Sequence, residues 1–71
     1  MSLAKVERGR KVTIVALQME RALEERLAAL GLFPGAEVEV VRSSRRGEMI
    51  LGCLDSRFAL GAELATAIEV A

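Results

Sequence analysis

The sequence predicts a mainly β fold with one short α-helix, its five short strands curled into a small, partly open barrel and the helix set between strands one and two. Three observations carry this. Short runs in which apolar and polar residues alternate recur along the chain, and one segment between them instead repeats its apolar residues every three or four positions. The chain is also only 71 residues long. Five strands of this length must curl to hide their edges, which makes a small barrel the natural architecture.

The elements follow in order. Val12, Ile14 and Ala16 alternate with Thr13, Val15 and Leu17 as strand one. From about Met19 the spacing changes. Met19, Leu23, Leu27 and Leu30 recur at helical intervals while Glu20, Arg21, Glu24 and Glu25 take the other side, giving a three-turn amphipathic helix. Its end is written out: with Gly31 as the left-handed residue after the helix, Leu32 and Leu27 occupy the two positions that a Schellman motif brings into apolar contact. Pro34-Gly35 then supplies the fixed φ and the permissive φ of a type II turn. Ala36, Val38 and Val40 alternate with Glu37 and Glu39 as strand two, with one solvated face. Ser43 to Gly47 reads as a polar hairpin, Met49 to Leu54 as strand three, apolar on both faces, and Asp55-Ser56 as a short turn. Arg57 to Leu60 is strand four, Gly61 to Thr66 one helical turn, and Ala67 to Val70 strand five. An oligonucleotide-binding type of barrel would carry its main helix later in the chain. The helix after strand one falls where the long first loop of an SH3-like barrel lies, so the sequence favours that fold, as a single domain over residues 1–71.

Composition removes several functions. Ten basic and ten acidic side chains cancel, so no long-range field draws the chain to nucleic acid or an anionic membrane. Apolar residues are 52% of the chain. With the glycines they reach roughly three-fifths, above the about 45–50% of an average domain, and a fold this small leaves part of that surplus outside, where it suits a partner or weak self-association. One cysteine, Cys53, and no histidine exclude an internal disulfide framework and a Cys/His zinc site, and fit the reducing cytoplasm. No apolar run approaches the roughly 18–20 residues of a membrane span, so contact with a membrane is expected through a partner. Met1-Ser2-Leu3 carries no functional weight. Without histidine the usual general base is missing, and Glu24 and Glu25, being adjacent, diverge on a helix; no catalysis and no cofactor is expected.

The segment Arg26-Leu27-Ala28-Ala29-Leu30-Gly31-Leu32-Phe33-Pro34-Gly35, read as R-L-x-x-L-G-L-x-P-G, resembles the signature of the FeoA family. Gly9, the Ala36 to Val40 strand, Gly47, Phe58-Ala59-Leu60 and Ala67 to Val70 fall where that family has similar residues. The resemblance implies a cytoplasmic accessory protein of ferrous iron uptake that binds the cytoplasmic, GTP-binding part of the transporter FeoB and performs no catalysis itself. A similar signature and the same fold occur in the C-terminal domain of DtxR-type iron-dependent repressors. The alternative it implies is therefore a metal-responsive regulatory domain.

Particular residues are candidates for contact. Neither the helix cap nor the proline turn requires an aromatic at Phe33, which makes it a candidate anchor beside the turn. Met49, Leu51 and Cys53 share one face of strand three, as a partner patch or dimer seam or, alternatively, as core. Arg45 and Arg46, with Arg42, form the densest basic cluster. They are expected to be a solvated hairpin tip more than a phosphate or acidic-partner site, since no aromatic lies among them to stack a base. Arg26 is expected to lay its stem over apolar surface and bond loop carbonyls. Glu37 and Glu39 share a strand face as weak metal candidates, two hard ligands with no third.

Overall fold

The computed structural model describes residues 1–71. Its strands are β1 (Lys11–Leu17), β2 (Glu37–Ser43), β3 (Met49–Cys53), β4 (Ser56–Leu60) and β5 (Ile68–Val70), with helix α1 (Arg21–Ala29) between β1 and β2 and a short helix α2 (Ala62–Ala67) before β5. All pairings are antiparallel, in the order β4-β3-β2-β1-β5. The five strands and the helix after the first are those the sequence predicts.

Closure depends on β1. Its first half pairs with β2, Val12 opposite Val38, and its second half with β5, Ile14 opposite Val70 and Leu17 opposite Ile68. The change of partner falls at a bulge between Ile14 and Ala16, where Val15 stays exposed. Such bulges bend a strand and increase its twist, which is what rolling a five-stranded sheet into a barrel requires. The alternating residues Val12, Ile14, Leu17, Val38, Val40, Met49, Leu51, Ile68 and Val70 all turn inward to one core, and no polar side chain is buried with them.

Several boundaries differ from expectation for identifiable reasons. The helix starts at Arg21, two residues later than its periodicity suggests. Met19 packs against the core from outside the helix, and Glu20 occupies the cap position without a side-chain hydrogen bond. Leu30, expected on the buried stripe, is 53% exposed because the chain is already leaving the helix there. Strand two runs on to Ser43, and the hairpin closes with Ser44 N–H donating to the carbonyl of Glu48. The turn between β3 and β4 is Leu54-Asp55, one residue earlier than predicted.

The N-terminal segment is structural. A 3-10 turn over Leu3–Lys5 drives Leu3 fully into the core, with Val6 beside it. The Ser2 hydroxyl donates to the carbonyls of Ala65 and Thr66 and accepts from Ala4 N–H. Sequence reading missed this because three residues ahead of a polar stretch show no periodicity.

Candidate partner-binding site

The site begins at the end of α1. Gly31 has φ +98°. Leu32 N–H donates to the Leu27 carbonyl at 2.9 Å and Gly31 N–H to the Ala28 carbonyl at 3.0 Å, which is the double bond of a Schellman motif. Leu27 and Leu32 are both buried, so the apolar contact expected of that motif is core packing. The next turn follows at once: Ala36 N–H donates to the Phe33 carbonyl at 3.0 Å across Pro34 and Gly35, whose φ is +97°. Gly35 N–H is held by the Ile14 carbonyl at 2.8 Å, and Ile14 N–H by the Ala36 carbonyl at 2.9 Å. Two backbone bonds to β1 thus fix the turn. Phe33, between the cap and the turn, has its backbone held on both sides and is 45% exposed.

A second exposed apolar residue, which the sequence did not single out, lines the same cleft as Phe33. Leu54 is 99% exposed and has φ +57°, the only positive φ outside glycine in the chain. The left-handed region costs a non-glycine residue about 1–2 kcal/mol, and exposing a leucine side chain in full forgoes its burial. The tight two-residue hairpin accounts for the conformation; nothing in the fold calls for an exposed leucine there. The Cys53 thiol donates to the Gly31 carbonyl at 3.7 Å and so ties the start of the Leu54 turn to the end of the helix.

Phe33 and Leu54 both line a cleft of about 730 Å³ on the outer face of the sheet. Cross-strand register lays charged residues along its floor in one row: Lys11 opposite Glu39, Glu39 opposite Gly52, and Gly52 opposite Arg57. Gly52 leaves a gap in the row that the Val41 side chain partly covers. Neither of the chain's two ion pairs, Met1 with Glu69 and Arg21 with Glu25, uses a group of this row. The cleft therefore combines two apolar rims with unpaired charges of both signs, a surface suited to a protein rather than to a polyanion.

The other candidates distribute as follows. Met49, Leu51 and Cys53 are buried beneath the curled sheet, so they form core and not a patch or dimer seam; curling of the barrel hides the face that a flat strand would expose. Arg42, Arg45 and Arg46 are exposed at the hairpin, where Arg46 N–H donates to the Ser44 hydroxyl, apart from Phe33 and Leu54. Arg26 is exposed and bonds no loop carbonyl, contrary to expectation; the Leu27 and Ala28 carbonyls are taken by the Schellman bonds. Glu37 and Glu39 share the cleft face as predicted, and no group of three or more His, Cys, Asp or Glu that could hold a metal is assembled anywhere.

The family model for the FeoA domain matches residues 1–71. The chain belongs to the FeoA family. Among solved structures it is similar to an iron uptake regulatory protein (FeoA), at 30% identity and TM-score 0.88 over 99% of this chain and 93% of that one. It is likewise similar to the FeoA protein of Chlorobium tepidum, at 27% identity and TM-score 0.88 over 99% of this chain and 68% of that one. The zinc-complexed FeoA of Stenotrophomonas maltophilia, a prokaryotic SH3 domain protein, shares the fold at 24% identity and TM-score 0.82, covering 100% of this chain and 89% of that one. The FeoA chain is thus an SH3-like barrel. A manganese-dependent transcriptional repressor shares that fold at 18% identity and TM-score 0.79, over 96% of this chain and 39% of that one. No curated protein matches significantly. No helix of this FeoA chain is long and apolar enough to cross a membrane.

Proposed function

We propose that this chain is a cytoplasmic accessory protein of ferrous iron uptake, binding the cytoplasmic part of a FeoB-like transporter through the cleft between Phe33 and Leu54. Membership of the FeoA family over all 71 residues supports the pathway. The single observation that supports the surface is Leu54, a fully exposed leucine held in a costly backbone conformation in the cleft that half-exposed Phe33 also lines. Exposed apolar groups lining a charged cleft are suited to receive another protein's side chains. The chain acts on this reading by binding, without chemistry of its own. The metal-responsive alternative draws less support, since Glu37 and Glu39 meet no third ligand and two hard donors hold a divalent ion poorly.

Calorimetry of the purified chain against the soluble cytoplasmic domain of the transporter from the same organism, with and without guanine nucleotide, tests the reading. Saturable binding that weakens about tenfold or more in Phe33→Ser and Leu54→Ser, both still folded, is expected; tenfold corresponds to about 1.4 kcal/mol. Absence of binding in every nucleotide state defeats it.

A further inference from the structure

The two edges of the sheet are treated differently. On the β5 edge the chain's own N-terminus supplies cover: Ser2 bridges to Glu69, Val70 N–H donates to the Met1 carbonyl at 2.8 Å, and the Met1 ammonium sits 3.0 Å from the Glu69 carboxylate. The β4 edge has no such cover. β4 pairs with β3 alone, and no hydrogen bond outside the sheet reaches any of its residues. Cys53 and Ser56 close the two-residue hairpin, and bonding alternates along an antiparallel ladder. Ser56, Phe58 and Leu60 therefore bond inward to β3, while the N–H and C=O groups of Arg57 and Ala59 face the open side. Both residues are exposed.

We propose that β4 is a strand-addition site, at which an extended, carboxylate-bearing segment of the partner pairs along Arg57 to Ala59 as a sixth strand. The inference rests on the accessory reading above and adds how the partner docks. Main-chain hydrogen bonds to an open edge give affinity in such complexes, and alternate side chains give specificity. Here the register reads out that specificity. A residue opposite Arg57 extends the row Lys11, Glu39, Gly52, Arg57, whose last cation has no partner in this chain. A carboxylate satisfies it and a basic residue is repelled. The position two residues along the added strand, on the same face, lies beside Ala59 and so near Ile50, its cross-strand neighbour, where an apolar side chain fits. The position between them points to the inner face beside half-buried Phe58 and is apolar too. The favoured segment thus reads acidic, apolar, apolar from Arg57 towards Ala59.

Amide hydrogen exchange of the full chain, free and saturated with the transporter's cytoplasmic domain, tests this together with three variants. The Arg57 and Ala59 amides are expected to exchange at least about tenfold more slowly in the complex, as new ladder bonds require. Arg57→Glu is expected to weaken binding about tenfold or more, and Arg57→Lys by no more than about threefold. Ala59→Pro, which removes an outward N–H on an edge strand where proline is tolerated, is expected to weaken it about tenfold. If binding saturates and Phe33→Ser weakens it, yet the two amides are unprotected and Arg57→Glu binds like the parent, the edge proposal is overturned while the accessory reading survives. Protection of the same amides in the free chain on raising its concentration, with sedimentation showing a dimer, assigns the edge to a second copy and also overturns it. No binding at all removes the accessory reading itself.

Discussion

The helix end and the tip of the β3–β4 hairpin both turn the chain through left-handed residues, and they do so with opposite chemistry. At Gly31 and Gly35 the conformation falls on glycine, the flanking Leu27 and Leu32 are buried, and the Leu27, Ala28 and Phe33 carbonyls each accept a backbone N–H. At Leu54 it falls on a leucine with nothing covering it. Local sequence and fold agree in the first region and conflict in the second. Conflicts of that kind collect where a surface is kept for something other than stability, which is why the first region reads as scaffold and the second is the one proposed for contact.

Substitutions can break or sharpen this contrast. The largest effect is expected at Leu32→Ala, which empties a fully buried position and should cost about 2–5 kcal/mol in urea unfolding, enough to endanger a domain of this size. Gly31→Ala should cost about 1–2 kcal/mol from its φ alone, because an added Cβ meets only the Cys53 sulfur at an ordinary 3.7 Å. Leu54→Gly should move the other way: relief of the left-handed strain outweighs the extra entropy of the unfolded chain, for a gain of up to about 1 kcal/mol in the same assay, with partner binding weakened. Phe33→Ser should change stability least, by less than about 1 kcal/mol, while its effect appears in binding. A Leu54→Gly chain less stable than the parent would sink the contrast, since it would make Leu54 part of the scaffold.

Much of the scaffold was legible because its signals are local. The Gly31 cap, the Pro34-Gly35 turn and the alternation of β2 each lie within a few residues, and each appears where the residues place it. The exposure of Phe33 was legible by elimination, no local motif needing an aromatic there. Burial of Met49, Leu51 and Cys53 was not, because a strand apolar on both faces does not state which face the curled sheet will hide. Leu3 was hidden for a similar reason, its partners lying at the far end of the chain. Leu54 was read as the end of a strand. The signal was there in a leucine occupying the loop next to Asp55, where glycine or asparagine is commoner.

The divided pairing of β1 also sets an order of events in folding. Its second half meets β5, near the other end of the sequence, and Thr13 and Ala71 exchange backbone hydrogen bonds at 3.0 and 2.9 Å. Pairings so distant in sequence form late and slowly. Until residues 68–71 are free to pair, the second half of β1 lacks its β5 partner, and the β1–β4 strands cannot close the barrel. Barrel closure therefore waits on β5, and until that strand is in place the apolar side of β1 lacks its cover.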